Sequence, residues 1–114
     1  MNSTVFRRLA LSFDGAVEGA HMNHPDFRAN GRIFATIQVG ARTGMVNVMP
    51  EEQDRLVRDH PTMFSPESGA WGRQGCTRVQ LAAADEEVLG EAMTLAWQKA
   101  MRTPPPRKKA RPRP

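Results

Sequence analysis

The sequence predicts an α+β domain, an antiparallel sheet with two β-hairpin wings backed by helices. Three observations carry that prediction. Asn30-Gly31 lies between the short runs Phe27-Arg28-Ala29 and Arg32-Ile33-Phe34-Ala35. This is the strongest local hairpin signal, because both central residues of a type I′ turn need positive φ. Ile33, Ala35, Ile37 and Val39 alternate with Phe34, Thr36 and Gln38, a period that buries one face of a strand. Finally, Val88, Ala92, Ala96 and Ala100 form a row beside Leu89, Met93, Trp97 and Met101, the stripe of a core-facing helix.

In chain order, Asn2-Ser3-Thr4 offers N-caps for a first helix reaching Phe13, and Asp14-Gly15 stops it. Val5, Phe6, Leu9, Ala10 and Phe13 make its buried stripe. Ala16 to Met22 reads as a strand, Pro25 marks the entry to the Asn30-Gly31 hairpin, and Ala41-Arg42-Thr43-Gly44 turns the chain into Met45 to Met49. The economical reading is a meander of three consecutive strands. Pro50-Glu51-Glu52 opens a second helix, since proline suits the first helical position and acids complement the dipole. Pro61 closes it near His60. Ala70-Trp71-Gly72 and Thr77 to Leu81 read as strands around Arg73-Gln74-Gly75, a second hairpin. Asp85, with Glu86 and Glu87 in the first turn, starts the third helix. The order is helix, three strands, helix, hairpin, helix.

At 114 residues, 39% apolar and 25% charged, the chain fits one modest core. No apolar run approaches a membrane span. The N-terminal MNSTVFRRLALSF reads as an amphipathic helix and not as an export signal. The lone Cys76 permits no internal disulfide, and the cytoplasm is the expected compartment. The net charge of +4 is unevenly spread. Residues 102–114, RTPPPRKKARPRP, hold six of the sixteen basic residues and no acid, leaving residues 1–101 at −2. The expected organisation is a domain over 1–101 followed by a disordered basic tail over 102–114.

HPDFRANGRIFATI, followed after about forty residues by GAWGRQGCTRVQL, resembles the MmcQ/YjbR family. The Pro-Glu-Glu-Gln helix between these blocks and a final helix ending in AWQKA match its layout. The resemblance covers roughly residues 3–101. It implies a small fold related to the frataxin-like CyaY shape, called double-wing after two hairpins flanking a helix, and it implies DNA binding. The family carries no established catalytic site, so none is implied. Cys76 departs from the pattern, which places an aromatic residue after Gly75.

The DNA-binding expectation falls on Arg28 and Arg32 beside the first turn, Arg42 in the next, and Arg73 and Arg78 in the second hairpin. Arginines on hairpins reach into grooves or clamp phosphates, although solvated hairpins also carry them to protect sheet edges. In the tail, Arg107, Lys108, Lys109, Arg111 and Arg113 form a cationic arm suited to phosphate backbones. His24, Phe27 and Trp71 mark a possible ligand or partner surface, against a plain sheet-sealing role for the aromatics. His21, His24, Asp26 and Cys76 invite a metal reading, but H-x-x-H at a strand end lacks a second metal-binding pair. A catalytic Cys76 needs an adjacent base that the sequence does not place. Gly69, Gly72 and Gly75 lack the following helix that a phosphate cradle needs. The reading is therefore a monomeric, non-enzymatic DNA-binding domain without cofactor or metal. A basic patch from both hairpins favours DNA, a flat apolar patch a protein partner, and a pocket lined by His24, Trp71 and Arg73 a small ligand.

Overall fold

The computed structural model describes residues 1–38, 40 and 42–102. Helix α1 spans Ser3–Leu11 and is capped by Asn2, whose Oδ1 accepts from the Val5 amide at 3.0 Å. It ends two residues before Phe13. Four strands follow: β1 Val17–His21, β2 His24–Ala29, β3 Arg32–Ile37 and β4 Thr43–Asn47. Helix α2 occupies Pro50–Asp59, then come β5 Phe64–Pro66, a short helix α3 Gly69–Arg73, and β6 Cys76–Gln80. A 3₁₀ turn at Leu81–Ala83 leads into α4, Glu86–Arg102. The sheet is antiparallel throughout, in the order β1-β2-β3-β4-β6-β5.

The α+β expectation and the Asn30-Gly31 hairpin hold, with φ of 56° and 73° at the two turn residues. The meander has four strands where three were expected. The added turn is Met22-Asn23, whose φ values of 49° and 66° make a two-residue loop with no glycine. Asn23 tolerates positive φ as Asn30 does, but Met22 gives no such signal, because most non-glycine residues rarely hold it.

The second hairpin is also different. Ala70-Trp71-Gly72 is not a strand but the body of α3, and Gln74 donates back to the Ala70 carbonyl at 3.1 Å. The partner of β6 is β5, with Phe64 opposite Val79 and Pro66 opposite Thr77. The cause is a close backbone approach. A Cβ at Gly72 would stand 1.7 Å from the Glu67 carbonyl oxygen, so only glycine lets the chain fold back there.

One face of the sheet carries α1 and α4, and the core lies between. Phe6, Phe27, Phe34, Val46, Val79, Leu89 and Met93 are fully buried. The expected alternation along β3 breaks at Phe34, which is buried and not on the wet face. Phe27 pairs with Ala35 and Arg28 with Ile33, so Phe34 is the extra residue of a β-bulge. Its ring meets Phe13 edge-on at 6.0 Å. Val39, expected to extend this strand inward, lies outside the described residues. Trp97 is half-buried, stacks on Phe13 at 5.9 Å, and donates from Nε1 to the Asp14 carbonyl at 2.9 Å.

Three side chains stitch the elements together. Gln53 of α2 donates from Nε2 to the Cys76 carbonyl at 2.9 Å and to Thr77 Oγ1 at 3.1 Å. Lys99 of α4 donates to Asn47 Oδ1 at 2.8 Å and to the Val48 and Gln74 carbonyls at 3.0 Å each. Burial holds the Lys99 amine below its ordinary pKa. Asn30 donates from Nδ2 to the Ala100 carbonyl at 3.0 Å, so the hairpin turn caps the C-terminal end of α4.

Candidate nucleic-acid interface

The sheet face away from α1 and α4 is open. Cross-strand pairing places Gly19, Asp26, Thr36, Met45, Arg78 and Ser65 in one row across all six strands. Over this face runs a groove of about 410 Å³. Its floor includes Ile33, Thr36, Met45, Asn47 and Cys76, and Trp71 of α3 forms one rim while His21 lies toward the other. Trp71 is 70% exposed, unusual for the largest apolar side chain.

The charges on this face cancel in pairs. Asp26 is fully buried, and its Oδ1 accepts from Arg28 Nε at 2.9 Å while Oδ2 accepts from Arg28 Nη2 at 3.1 Å. His21 Nδ1 sits 2.8 Å from the same Oδ2. Gly19, opposite Asp26 on β1, leaves the space, since a Cβ there would lie 3.0 Å from Oδ1. The Arg28 guanidinium holds the Asp26 carboxyl below its ordinary value, with burial opposing and His21 assisting. Arg78 Nη2 pairs with Glu67 Oε1 at 2.9 Å. Asp26 and Arg28 stand two apart on β2 and so share a face, a pairing open to strand periodicity, whereas Glu67 reaches Arg78 only through the chain reversal before α3.

The Asp26 cluster carries a pH prediction. A carboxyl whose folded pKa is depressed stabilises fully above its ordinary value near 3.8, and that contribution is lost as pH falls through the lower folded value. Asp26→Asn should therefore cost about 1.5–3 kcal/mol at pH 7, the worth of hydrogen bonds to a charged group. In urea melts the gap between variant and parent should close well below pH 3.8. A gap unchanged at pH 3 refutes the assignment.

The remaining arginines divide by location. Arg32 flanks the Asn30-Gly31 turn, and a depression of about 230 Å³ joins it to Asn47, Gln74 and Lys99. Arg73, exposed at the end of α3, precedes Gln74 at this same end of the sheet. Arg102 ends α4 nearby, with Glu51 and Glu52 bordering it on the α2 side. Arg42 is exposed at the opposite end, at least ~17 Å away along β3. Arg107, Lys108, Lys109, Arg111 and Arg113 lie outside the described residues, as does the expected tail beyond Arg102. Arg32 thus borders the depression that Gln74, the residue after Arg73, also lines, Arg102 ends the helix that supplies its Lys99, Arg28 and Arg78 pair with acids, and Arg42 stands apart.

Phe27 does not belong to a binding surface. It is fully buried, with its ring 6.2 Å from Phe6. His24 is half-buried beside His21, their rings 6.1 Å apart. Of the three residues expected to line a ligand pocket, only Trp71 lines the groove; His24 and Arg73 do not. His21 and Cys76 share the groove, but β2, β3 and β4 intervene, about 19 Å at ordinary strand spacing. Burial pushes the Cys76 thiol up, with Glu67 adding to it and Lys99 opposing, so the thiolate is disfavoured. No group of three metal-ligating side chains occurs among the described residues. Arg28 occupies both Asp26 oxygens and places a cation where a metal would sit. None of the described helices is long and apolar enough to cross a membrane.

Comparison with known proteins agrees with the fold. A solved crystal structure, the Deinococcus radiodurans protein DR2400 with its DUF419 domain, superposes with a TM-score of 0.71 at 18% identity. The match covers 85% of this chain and 76% of that one. No curated protein matches the sequence. The YjbR family model matches residues 11–99, from the end of α1 to the last turns of α4. With that match spanning most of its length, the chain belongs to the YjbR family.

Proposed function

We propose that this chain is a monomeric, cytoplasmic, non-enzymatic domain that binds DNA without strong sequence preference. The observation that carries the reading is the Asn30 clamp on α4. Its hydrogen bond to the Ala100 carbonyl holds the end of α4 against the turn that bears Arg32. The strongly basic sequence 103–114 continues covalently from that point. Arg32 and Arg102 therefore stand where the arm begins, with Arg73 next to Gln74 of the Arg32 depression, so hairpin and arm act on one stretch of backbone. Arg28 and Arg78 contribute less, because Asp26 and Glu67 already satisfy them.

Binding of this kind is electrostatic and salt-dependent. Replacing Arg107, Lys108, Lys109, Arg111 and Arg113 by glutamine should lower the slope of log affinity against log salt by up to about 4–5. Arg32→Ala with Arg73→Ala should lower it by about 2 more. Arg42→Ala should leave it unchanged. A full chain that binds no DNA at any low salt defeats the reading and transfers it to the protein-interaction alternative.

A further inference from the structure

The groove on the open sheet face differs in character from the cationic end, yet the two adjoin. Ile33 and Asn47 line both the groove and the depression that contains Arg32 and Lys99. Within the groove the paired ions cancel, so a charged group gains nothing by entering. What the groove offers is a flat, 70% exposed indole on its rim and a floor of mixed apolar and amide character. Lys99 takes Asn47 Oδ1 and so fixes that amide, leaving its nitrogen as a donor. A neutral, planar heteroaromatic ring with hydrogen-bonding edges fits these features, and an adjacent phosphate fits Arg32.

We infer that the groove takes an unpaired base of single-stranded DNA, stacked on Trp71, while its backbone passes over Arg32 and Arg73. The inference rests on the DNA-binding reading and narrows it. A base inside a duplex is stacked on both faces and cannot reach a rim tryptophan, whereas every unpaired base presents a π-face. The structure thus selects strand state and not sequence.

The test compares a fluorescein-labelled oligodeoxynucleotide with its own duplex, using the full chain at fixed low salt. The single strand should bind more tightly than the duplex. Trp71→Ala should weaken single-strand binding by roughly 5- to 100-fold, leaving duplex affinity and the salt slope unchanged. Trp71→Phe, which keeps a stacking ring, should restore most of the loss. The exposure of Trp71 makes its removal harmless to folding, and a thermal melt checks that. Equal loss on both substrates, or no loss on either, overturns the groove assignment while DNA binding stands. Failure of the parent chain to bind either substrate overturns both.

Discussion

Gly75→Ala should yield almost no folded protein. Gly75 holds φ at 112°, a conformation that L side chains rarely adopt. A Cβ there would lie 1.8 Å from the Val48 carbonyl oxygen, a backbone atom fixed by its own bond from Lys99. The Gly75 carbonyl in turn accepts from the Val48 amide at 3.1 Å and from Thr77 Oγ1 at 2.9 Å. Strain and clash cannot both be relieved without parting β6 from the end of β4. A cost above about 4 kcal/mol is expected, against a whole-domain stability of about 5–15 kcal/mol. Soluble yield and a far-ultraviolet melt measure it. Gly90→Ala provides the contrast, since nothing lies within 4 Å of its would-be Cβ in the interior of α4. That variant should gain about 0.5–1 kcal/mol. Similar behaviour of the two variants refutes the close-approach argument.

Phe34→Ala should cost about 3–5 kcal/mol, the ordinary price of emptying a buried phenylalanine site. The bulge turns this side chain into the layer between sheet and helices, where it meets Phe13, which in turn stacks on Trp97. Removing the ring therefore unsupports a contact chain that ties the end of α1 to α4. Urea denaturation gives the value. A loss within ~0.5 kcal/mol places Phe34 on the solvated face, as strict alternation would have it.

The difference between those two faces marks how far sequence reading reaches. α4 and the Asn30-Gly31 turn were legible because their signals are local: a stripe, a cap, a dipeptide with one comfortable geometry. Phe34 was not, because one inserted residue reverses the facing of its neighbours and leaves no trace in composition. α3 was misread because Gly72 answers to the Glu67 carbonyl, an approach made only after the chain has turned. For the candidate interface, the arginines could be named from the sequence, but their electrostatic worth could not. Asp26 engages Arg28 from two residues away on the same strand, while Glu67 meets Arg78 only once β5 pairs with β6 and the chain turns toward α3. The groove was invisible for the same reason. Its lining comes from β1, β3, β4, β6 and the chain before and within α3.

The Asn30-Gly31 turn also gives the molecule a chemical clock. Asn-Gly is the dipeptide in which the following backbone nitrogen most readily attacks the side-chain carbonyl, expelling ammonia through a succinimide. Here the departing nitrogen is the donor that holds the Ala100 carbonyl. Hydrolysis of the ring leaves a carboxylate, or an isoaspartyl backbone one carbon longer, facing the negative pole of α4. A hydrogen bond becomes a repulsion, at the junction where the hairpin meets the root of the basic arm. Ageing at this single peptide would loosen the end of α4 from the turn before it disturbed the core.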